Sequence, residues 1–363
     1  MMVIGVDTHK SSHAMAAVAA DTGLLTSERE IAASDDGHRA ALSWARALDP
    51  ERVWAIEDCR HVSRRLEQAL ITAGERVIRV PPKMMGQSRR GERESGKSDQ
   101  IDARAVARAV LREGVERFPA AFLDERALAI RLLADHRADL IAERTRQINR
   151  LRWHLVDLCP ELEADIPARR LDNAPALDRI ARGLRRQERT ARTRVALELV
   201  ASIRAISRQT NGLQCELRSL IMTYRPALLA EQGLGVLTAA TLIGRTAGAE
   251  RFPTDAHFAR QAGVAPVPVS SGRTDRHRLD RGGDRQLNRA LHVIAITRAR
   301  IDPETSAYLQ RKRSEGKTNR EALRCLKRHL ARHVHRLLLV PPTNLDQRTR
   351  VHLNAAISVP CLT

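Results

Sequence analysis

The sequence predicts an α/β domain at the N-terminus, followed by a longer and mainly helical remainder. Two observations support this division. Short apolar runs alternate with amphipathic segments over residues 1–123, whereas strand patterns nearly vanish from residue 124 onward and helical periodicity takes over. A third observation concerns the partner: Lys and Arg total 62 against 43 Asp and Glu, a formal charge of +19.

The N-terminal elements alternate in type. Residues 2–7, an apolar run ending in Asp7, predict a buried strand. Residues 12–21 and 24–33 flank an Asp-Thr-Gly turn signal and predict a hairpin. The next predicted elements are a helix at 35–48, a strand at 52–58, a helix at 61–74, a strand at 76–82, a polar loop at 86–98 and a helix at 99–113. This order, with two antiparallel strand pairs before alternating α/β units, is typical of a ribonuclease-H-like fold with helices on both faces of a mixed sheet.

Residues 124–225 are rich in Arg and predict a helical, coiled-coil-like middle region. Apolar residues recur at alternating steps of three and four, and Pro160 and Pro167 interrupt the pattern before a second periodic segment at 176–223. The first seam consists of Ile148, Leu151, Leu155 and Leu158. Two long helices joined by a break predict an antiparallel hairpin or an oligomerisation stalk. A spacer with a solvated basic face and a nucleic-acid-binding surface fit this composition equally well.

Residues 226–340 predict a compact, mainly helical C-terminal domain. Gly233 and Gly235 lie between two helical segments and resemble a helix–hairpin–helix, in which backbone N–H groups approach a phosphate. A tight turn between helices would give the same pattern. Further on, residues 264–300 predict a Ser-Ser-Gly loop, an Arg- and Gly-rich stretch and a helix. Residues 341–363 have no packing pattern and predict a loosely ordered tail.

The positive charge predicts a polyanionic partner. Most of it is Arg, which suits bidentate contacts with phosphate, so nucleic acid is the first candidate and an anionic membrane is the rival. No apolar run is long enough to span a bilayer. The N-terminus lacks the basic and apolar regions of a signal peptide, so we expect a cytoplasmic protein.

Four carboxylates are predicted to meet at one edge of the sheet. Asp7 and Glu57 end two strands that are neighbours in a ribonuclease-H-like fold, and Asp99 and Asp102 share one face of a helix. Capping of the helix by Ser98 or Asp99 would explain either aspartate alone. Four clustered acids repel one another unless cations are present. Two Mg²⁺ ions, about 3.5–4 Å apart, would relieve this repulsion and promote phosphodiester chemistry.

Three residues close to these carboxylates have alternative assignments. Asp58 adjoins Glu57 but points to the opposite face of a regular strand, so Glu57 is the predicted ligand. His9 and Lys10 follow Asp7 closely, and either phosphate contact or simple exposure in a loop fits them.

Three acidic motifs and one C-terminal motif resemble those of a known protein family. The segments VIGVDTHKSSHAMAAV, AIEDCRH and KSDQIDARAVA resemble the acidic motifs of the DEDD transposases of the insertion sequence 110 type, which have a RuvC-like N-terminal domain. The stretch from GLGVLTAATLIG to GGDRQLNRAL resembles that family's second transposase domain. The resemblance covers nearly the whole chain up to residue 300.

The resemblance implies a DNA recombinase that is guided by a structured noncoding RNA, the bridge RNA. It also implies a homo-oligomer, which is a dimer in general and a tetramer in the active complex. Its acidic tetrad corresponds to Asp7, Glu57, Asp99 and Asp102, and its nucleophilic serine to Ser271, with Ser270 adjacent. The family commonly has Gly-Asn where this chain has Gly283-Asp284.

A serine hydroxyl needs activation before it can attack a phosphodiester. The acidic cluster and its metal would polarise the phosphate, and Arg273, Arg276 and Arg278 would stabilise the transition state. Because the two motifs are far apart in the sequence, the predicted site is composite and its parts can come from different subunits. The rival functions are a metal-dependent nuclease that uses water, such as a junction resolvase, and a nucleic-acid-binding scaffold without chemistry.

Overall fold

The structure of the chain is a computed structural model. The structure describes residues 1–57, 60–80, 98–118, 120–121, 124–167, 170–271, 274–278, 280 and 282–341. These residues form two units. The first consists of Met1–Asp124 together with Ala247–His257, and the second consists of Glu125–Thr246 together with the residues from Phe258 onward. The predicted tail at 342–363 and most of the predicted polar loop at 86–98 lie outside the described residues.

A five-stranded mixed sheet forms the centre of the first unit. Its strands are β1 (Met2–Thr8), β2 (Ser12–Ala19), β3 (Leu25–Ala32), β4 (Arg52–Glu57) and β5 (Val77–Val80). The spatial order is β3-β2-β1-β4-β5, with β1 antiparallel to β2 and parallel to β4. This order and these directions confirm the mixed N-terminal sheet that the sequence predicts.

Helices cover both faces of this sheet. They are α1 (Asp35–Leu48), α2 (Arg60–Thr72) and α3 (Asp99–Glu113). Because side chains alternate along a strand, the even-numbered residues of β1, such as Ile4 and Val6, pack with α1 and α2. Val3 of the same strand packs with Val106 and Val110 of α3. The near-continuous apolar runs of β1 and β4 therefore reflect burial on two faces.

The second unit is mainly helical. Its helices are α4 (Glu125–Leu158), α5 (Pro160–Ala164), α6 (Ala174–Arg185), α7 (Ala191–Tyr224), α8 (Ala227–Ala230), α9 (Val236–Thr246), α10 (Asp255–Gln261, which begins in the first unit), α11 (Arg285–Ile301), α12 (Pro303–Ser314) and α13 (Asn319–Leu339). Among the helices of the described ranges, none combines the length and the apolar character needed to cross a bilayer.

The two long helices α4 and α7 run antiparallel, as the hairpin alternative predicts. Arg144 near the middle of α4 donates to the Ser207 hydroxyl at 3.1 Å, whereas Asp157 near its end accepts from Arg192 at the start of α7. One sequence prediction is wrong here. The periodic segment 176–223 is two helices, because the polar residues after Arg185 end α6, and the Thr190 hydroxyl then caps α7 by accepting from the Thr193 N–H.

The C-terminal region also contains a β-hairpin that was not predicted from the sequence. Strands β6 (Val267–Ser271) and β7 (Thr274–Arg278) pair antiparallel, from Val267 opposite Arg278 to Ser271 opposite Thr274. The prediction of a Ser-Ser-Gly loop is therefore wrong for Ser270 and Ser271, which are the last two residues of β6. The alternating valines of VPVS were the available strand signal, but Pro268 weakened it.

Candidate functional site

The ends of β1 and β4 place two carboxylates at one edge of the sheet. The last registered pair between these strands is Val6 with Ile56, and the next residue on each strand is acidic. Alternation puts Asp7 on the face of Gly5, and Glu57 on the face of Ala55. This is the face that α3 covers. Asp58, the neighbour of Glu57, lies outside the described residues.

The start of α3 brings two more carboxylates to the same face. Ser98 is the N-cap, since its hydroxyl accepts from the Ile101 N–H at 3.3 Å. The cap is thus supplied by serine, and the aspartates one and four residues later are not needed for it. Asp102 is 4% exposed, whereas the Asp99 side chain is about half exposed.

His9 lies between two of these acids. Its Nε2 is 3.2 Å from Asp7 Oδ2 and 3.2 Å from Asp99 Oδ1. One ligand atom from each of the three residues lies within 4.8 Å of the others, a spacing that can hold a metal ion. From the sequence alone, His9 fits either phosphate contact or simple exposure in a loop. The available signal was its position two residues after Asp7, which places both side chains on one face of an extended chain.

The electrostatics of this cluster follow from burial and crowding. Burial raises the pKa of Asp7, the negative charges of Asp102 and Asp99 raise it further, and His9 lowers it in part. Burial alone would lower the pKa of His9, but the carboxylates of Asp7 and Asp99 outweigh burial and raise it. The cluster therefore favours a cation in contact with Asp7 and Asp99. Carboxylate oxygens are also the ligands that Mg²⁺ prefers.

Gly5 allows α3 to approach the sheet closely enough to complete the cluster. A Cβ atom at this position would lie 2.1 Å from the Ala103 carbonyl oxygen and 2.6 Å from the Ala107 nitrogen. Both are backbone atoms of α3, so the helix itself would have to move. Since Asp102 immediately precedes Ala103, this single glycine sets the distance between the strand carboxylate and the helix carboxylates.

We expect Gly5→Ala to destabilise the protein by about 3 kcal/mol, because overpacking forces α3 off the sheet. The matched control is Gly212→Ala, on the exposed face of α7, where an added Cβ meets nothing within 4 Å. That substitution should stabilise by about 1 kcal/mol, since Ala favours a helix interior over Gly. Calorimetric unfolding of both variants checks the contrast, and equal effects would contradict this account of Gly5.

The remaining predicted site residues lie in the second unit, apart from Lys10, which is exposed just after β1. Ser270 and Ser271 end β6, and Arg276 and Arg278 lie on β7; of these four, only the Arg278 side chain is described, and it is exposed. Arg273 lies outside the described residues. The catalytic roles of the serines and arginines stay predictions.

The glycine pair before α9 has a structural explanation. Gly233 has a φ of +84°, and an added Cβ would meet the Arg298 side chain at 2.9 Å. Arg298 also donates to the Gln232 carbonyl at 2.9 Å, which fastens this turn to α11. The Gly235 carbonyl accepts the Ala239 N–H in the first turn of α9. Their predicted contact with nucleic acid stays a prediction.

The Gly283-Asp284 pair serves the packing of α11. An added Cβ at Gly283 would lie 2.2 Å from the Gly263 nitrogen, so two backbone segments touch there. Asp284 caps α11, because its carboxylate accepts from the N–H groups of Gln286 and Leu287. Asn and Asp are comparably good N-caps. The departure from the Gly-Asn of the resembled family therefore keeps this function.

Two family models match the chain. Residues 4–160 match the model for DEDD transposases of IS110, described as "Transposase", and residues 226–310 match the model described as "Transposase IS116/IS110/IS902 family". Together these matches include both the carboxylate cluster and the serine-bearing hairpin.

Similar proteins come from insertion elements. The IS110 43.6 kDa protein of Streptomyces coelicolor is 30% identical over 273 residues, which cover 62% of this chain and 67% of that protein. The IS900 42 kDa protein of Mycobacterium paratuberculosis is 28% identical, covering 89% and 92% of the two chains. Among solved structures, Thermus thermophilus RuvC in complex with a Holliday junction substrate is similar with 18% identity and a TM-score of 0.26, covering 33% of this chain and 99% of that one. On the strength of the two family matches and the Streptomyces coelicolor relative, the chain belongs to the IS110 family of insertion-element transposases.

Proposed function

We propose that this transposase cuts and rejoins DNA strands by metal-dependent transesterification, with Ser271 as the nucleophile. The observation that carries the proposal is the cluster of Asp7, His9 and Asp99, whose ligand atoms lie within 4.8 Å of one another. Asp102 of α3 lies near enough to raise the pKa of Asp7, and Glu57 ends the strand next to β1. A buried carboxylate with other carboxylates beside it is typical of a site that binds divalent cations.

The four carboxylates would hold two Mg²⁺ ions. The residues fit this role, because burial and the neighbouring acids raise the pKa of Asp7, and because His9 already gains positive character from Asp7 and Asp99. When bound, the metal ions supply Lewis acidity toward the phosphate and the attacking oxygen. Asp7 and Asp102 are buried on strand and helix, so they hold their oxygens in fixed positions for this purpose.

The proposed attack by Ser271 exchanges one phosphoester bond for another and therefore needs no external energy source. The Ser271 hydroxyl oxygen forms a bond to phosphorus while the phosphorus bond to one sugar oxygen breaks. The hydroxyl proton leaves the serine, and the departing sugar oxygen takes up a proton. One phosphoester bond replaces another, so the phosphoserine linkage can be attacked in turn by a new strand end. Arg276 and Arg278 lie on the strand paired with β6, and we propose that they and Arg273 offset the phosphate charge.

The proposed partners are the DNA of the element ends and target, a noncoding guide RNA and further copies of this chain. The formal charge of +19 supports a nucleic-acid partner, since neutralising phosphates releases counterions and favours binding. The proposed site is composite, with parts that can come from different copies of the chain, because its acidic and serine motifs are far apart in the sequence. We place this activity in the cytoplasm, within reach of cellular DNA.

Purified protein with its co-purifying RNA should cleave DNA that carries the element ends when Mg²⁺ is present, and EDTA should abolish the cleavage. A protein–DNA adduct that survives denaturant supports the serine mechanism, whereas free ends without an adduct indicate a nuclease that uses water. DNA binding without any cleavage would contradict the proposal. Sequencing the co-purified RNA tests the guide: a single structured species from the flanking noncoding DNA is expected.

A further inference from the structure

A cationic cleft lies in the second unit, between strand β7 and helices α12 and α13. Its volume is about 750 Å³, within the range of small-molecule sites. Basic side chains line much of it: Arg278, Lys312, Lys317, Arg324, Lys327 and Arg328. Of these six residues, Arg278 already has a role in the proposed chemistry, and the other five have none.

Lys327 forms a buried part of the wall. It is 7% exposed, and its Nζ donates to Asn288 Oδ1 at 2.7 Å. Asn288 is itself held in place, because its Nδ2 donates to the carbonyls of Ala262 and Gly263 at 3.0 Å each. Within the described ranges, Lys327 has no carboxylate partner. A lysine is almost never buried without a counter-charge, so this ammonium group needs an anion from elsewhere.

The acids of the cleft do not supply this counter-charge. Glu315 pairs with Lys312 at 2.8 Å. Glu321 accepts from the Thr318 N–H in the capping box of α13, and Asp280 accepts from the Gly282 N–H. Each of the three carboxylates thus has a partner other than Lys327, and the lining keeps an excess of positive charge.

The lowered pKa of His329, in the same wall, agrees with a positive electrostatic potential in the cleft. Burial lowers the pKa of His329, and the charges of Arg332, Arg328 and Lys312 lower it further. Burial and the charge of Arg324 likewise lower the pKa of Lys327. A bound anion would relieve both effects.

Tyr308 adds a planar group to this wall. It is one of two tyrosines in a chain with only 2% aromatic residues. Its ring meets His329 edge-on at 5.5 Å, and its buried hydroxyl has no hydrogen-bond partner among the described residues. An aromatic side chain beside a group of cations is the combination that binds single-stranded nucleic acid, through base stacking and phosphate contact.

We propose that this cleft binds one unpaired nucleotide of a polynucleotide, with its phosphate on Lys327 and its neighbouring cations and its base against the Tyr308 wall. Lys327 is only 7% exposed, so we expect a single extruded nucleotide to reach its ammonium group more readily than the backbone of a duplex. The inference rests on the proposed function only in taking nucleic acid as the partner.

The test is a binding measurement with a fluorescein-labelled 15-nucleotide DNA, an RNA of the same sequence and the corresponding DNA duplex. Lys327→Met keeps the length of the buried side chain and removes its charge. We expect about tenfold weaker binding of at least one single strand. The slope of log affinity against log salt concentration should fall by about 0.7, as for one lost phosphate contact. The strand that loses affinity identifies whether the cleft takes DNA or RNA.

Two further variants keep the test independent of folding. Lys317→Ala changes an exposed residue of the lining and should weaken the same strand by several-fold. Arg320→Ala removes the same charge from the exposed start of α13, outside the lining, and should leave affinity unchanged. Unchanged single-strand binding by both lining variants overturns the proposal, and so does an equal loss from Arg320→Ala or with the duplex probe.

The binding readout also separates this proposal from the proposed function. Strand cleavage with Mg²⁺ is measured in parallel on the wild-type protein. Cleavage by the wild-type with normal binding by the lining variants refutes the cleft alone. An absence of cleavage in the wild-type, together with the expected loss of single-strand binding in the lining variants, refutes the chemistry alone.

Discussion

Asp7→Asn is expected to reduce strand cleavage by about 100-fold or more while leaving nucleic-acid binding within a few-fold of the wild-type protein. Asparagine preserves the shape of the buried side chain but removes its negative charge, and with it the main anchor of the proposed metal ions. The basic residues that we propose to contact phosphates lie elsewhere on the chain, so the substitution should leave them unaffected. Cleavage of labelled element-end DNA at saturating Mg²⁺ measures the first quantity, and gel-shift titration measures the second.

The control for Asp7→Asn is Asp21→Asn. Asp21 is an exposed carboxylate in the turn between β2 and β3, where it accepts from the Thr22 N–H, and asparagine suits such a turn equally well. This variant should cleave DNA like the wild-type protein. Full recombination by Asp7→Asn would remove the carboxylate cluster from the mechanism. A parallel loss of cleavage and of thermal stability would instead assign Asp7 a structural role.

Ser271→Ala is expected to eliminate both recombination and the covalent protein–DNA adduct. A serine that attacks a phosphodiester leaves a phosphoserine linkage, and alanine has no oxygen with which to form it. Reactions stalled with Mg²⁺, the co-purified RNA and target DNA should yield a wild-type adduct that resists denaturant and is destroyed by protease. RNA binding and assembly should persist in the variant, since a hydroxyl at the end of a two-stranded hairpin contributes little to folding.

Ser270→Ala is the natural comparison, because the two serines are adjacent on β6. Loss of the adduct in Ser270→Ala but not in Ser271→Ala would move the nucleophile by one residue. If neither substitution matters and free DNA ends accumulate, water is the nucleophile.

The N-terminal domain, residues 1–123, could be predicted closely from the sequence. Apolar runs, turn residues and helix caps there act locally, so the predicted helices at 35–48 and 99–113 coincide with α1 and α3. The order of elements then restricts the topology, because a mixed sheet with these connections has few solutions. Grouping the acids needed only the strand order and the helical spacing of Asp99 and Asp102.

Features that depend on tertiary contacts could not be predicted in this way. Strand β6 contains Pro268, and its pairing with β7 outweighs the local preference against a strand. The contacts of His9 depend on how near α3 comes to β1, which the close approach at Gly5 determines. Likewise, Lys327 is one of many basic residues in a helical pattern, and only the packing of α13 reveals that it is buried beside a cleft.

The division of the chain into units determines what a truncated gene copy or an expression fragment retains of the fold. Residues Ala247–His257 group with Met1–Asp124, although the long helical pair and α9 separate them in sequence. A gene copy truncated after the first unit therefore loses a piece of that unit as well as the serine-bearing half. An expression fragment ending at Asp124 likewise omits residues that group with its own fold, so we expect a fragment that also carries residues 247–257 through a linker to be the more stable of the two.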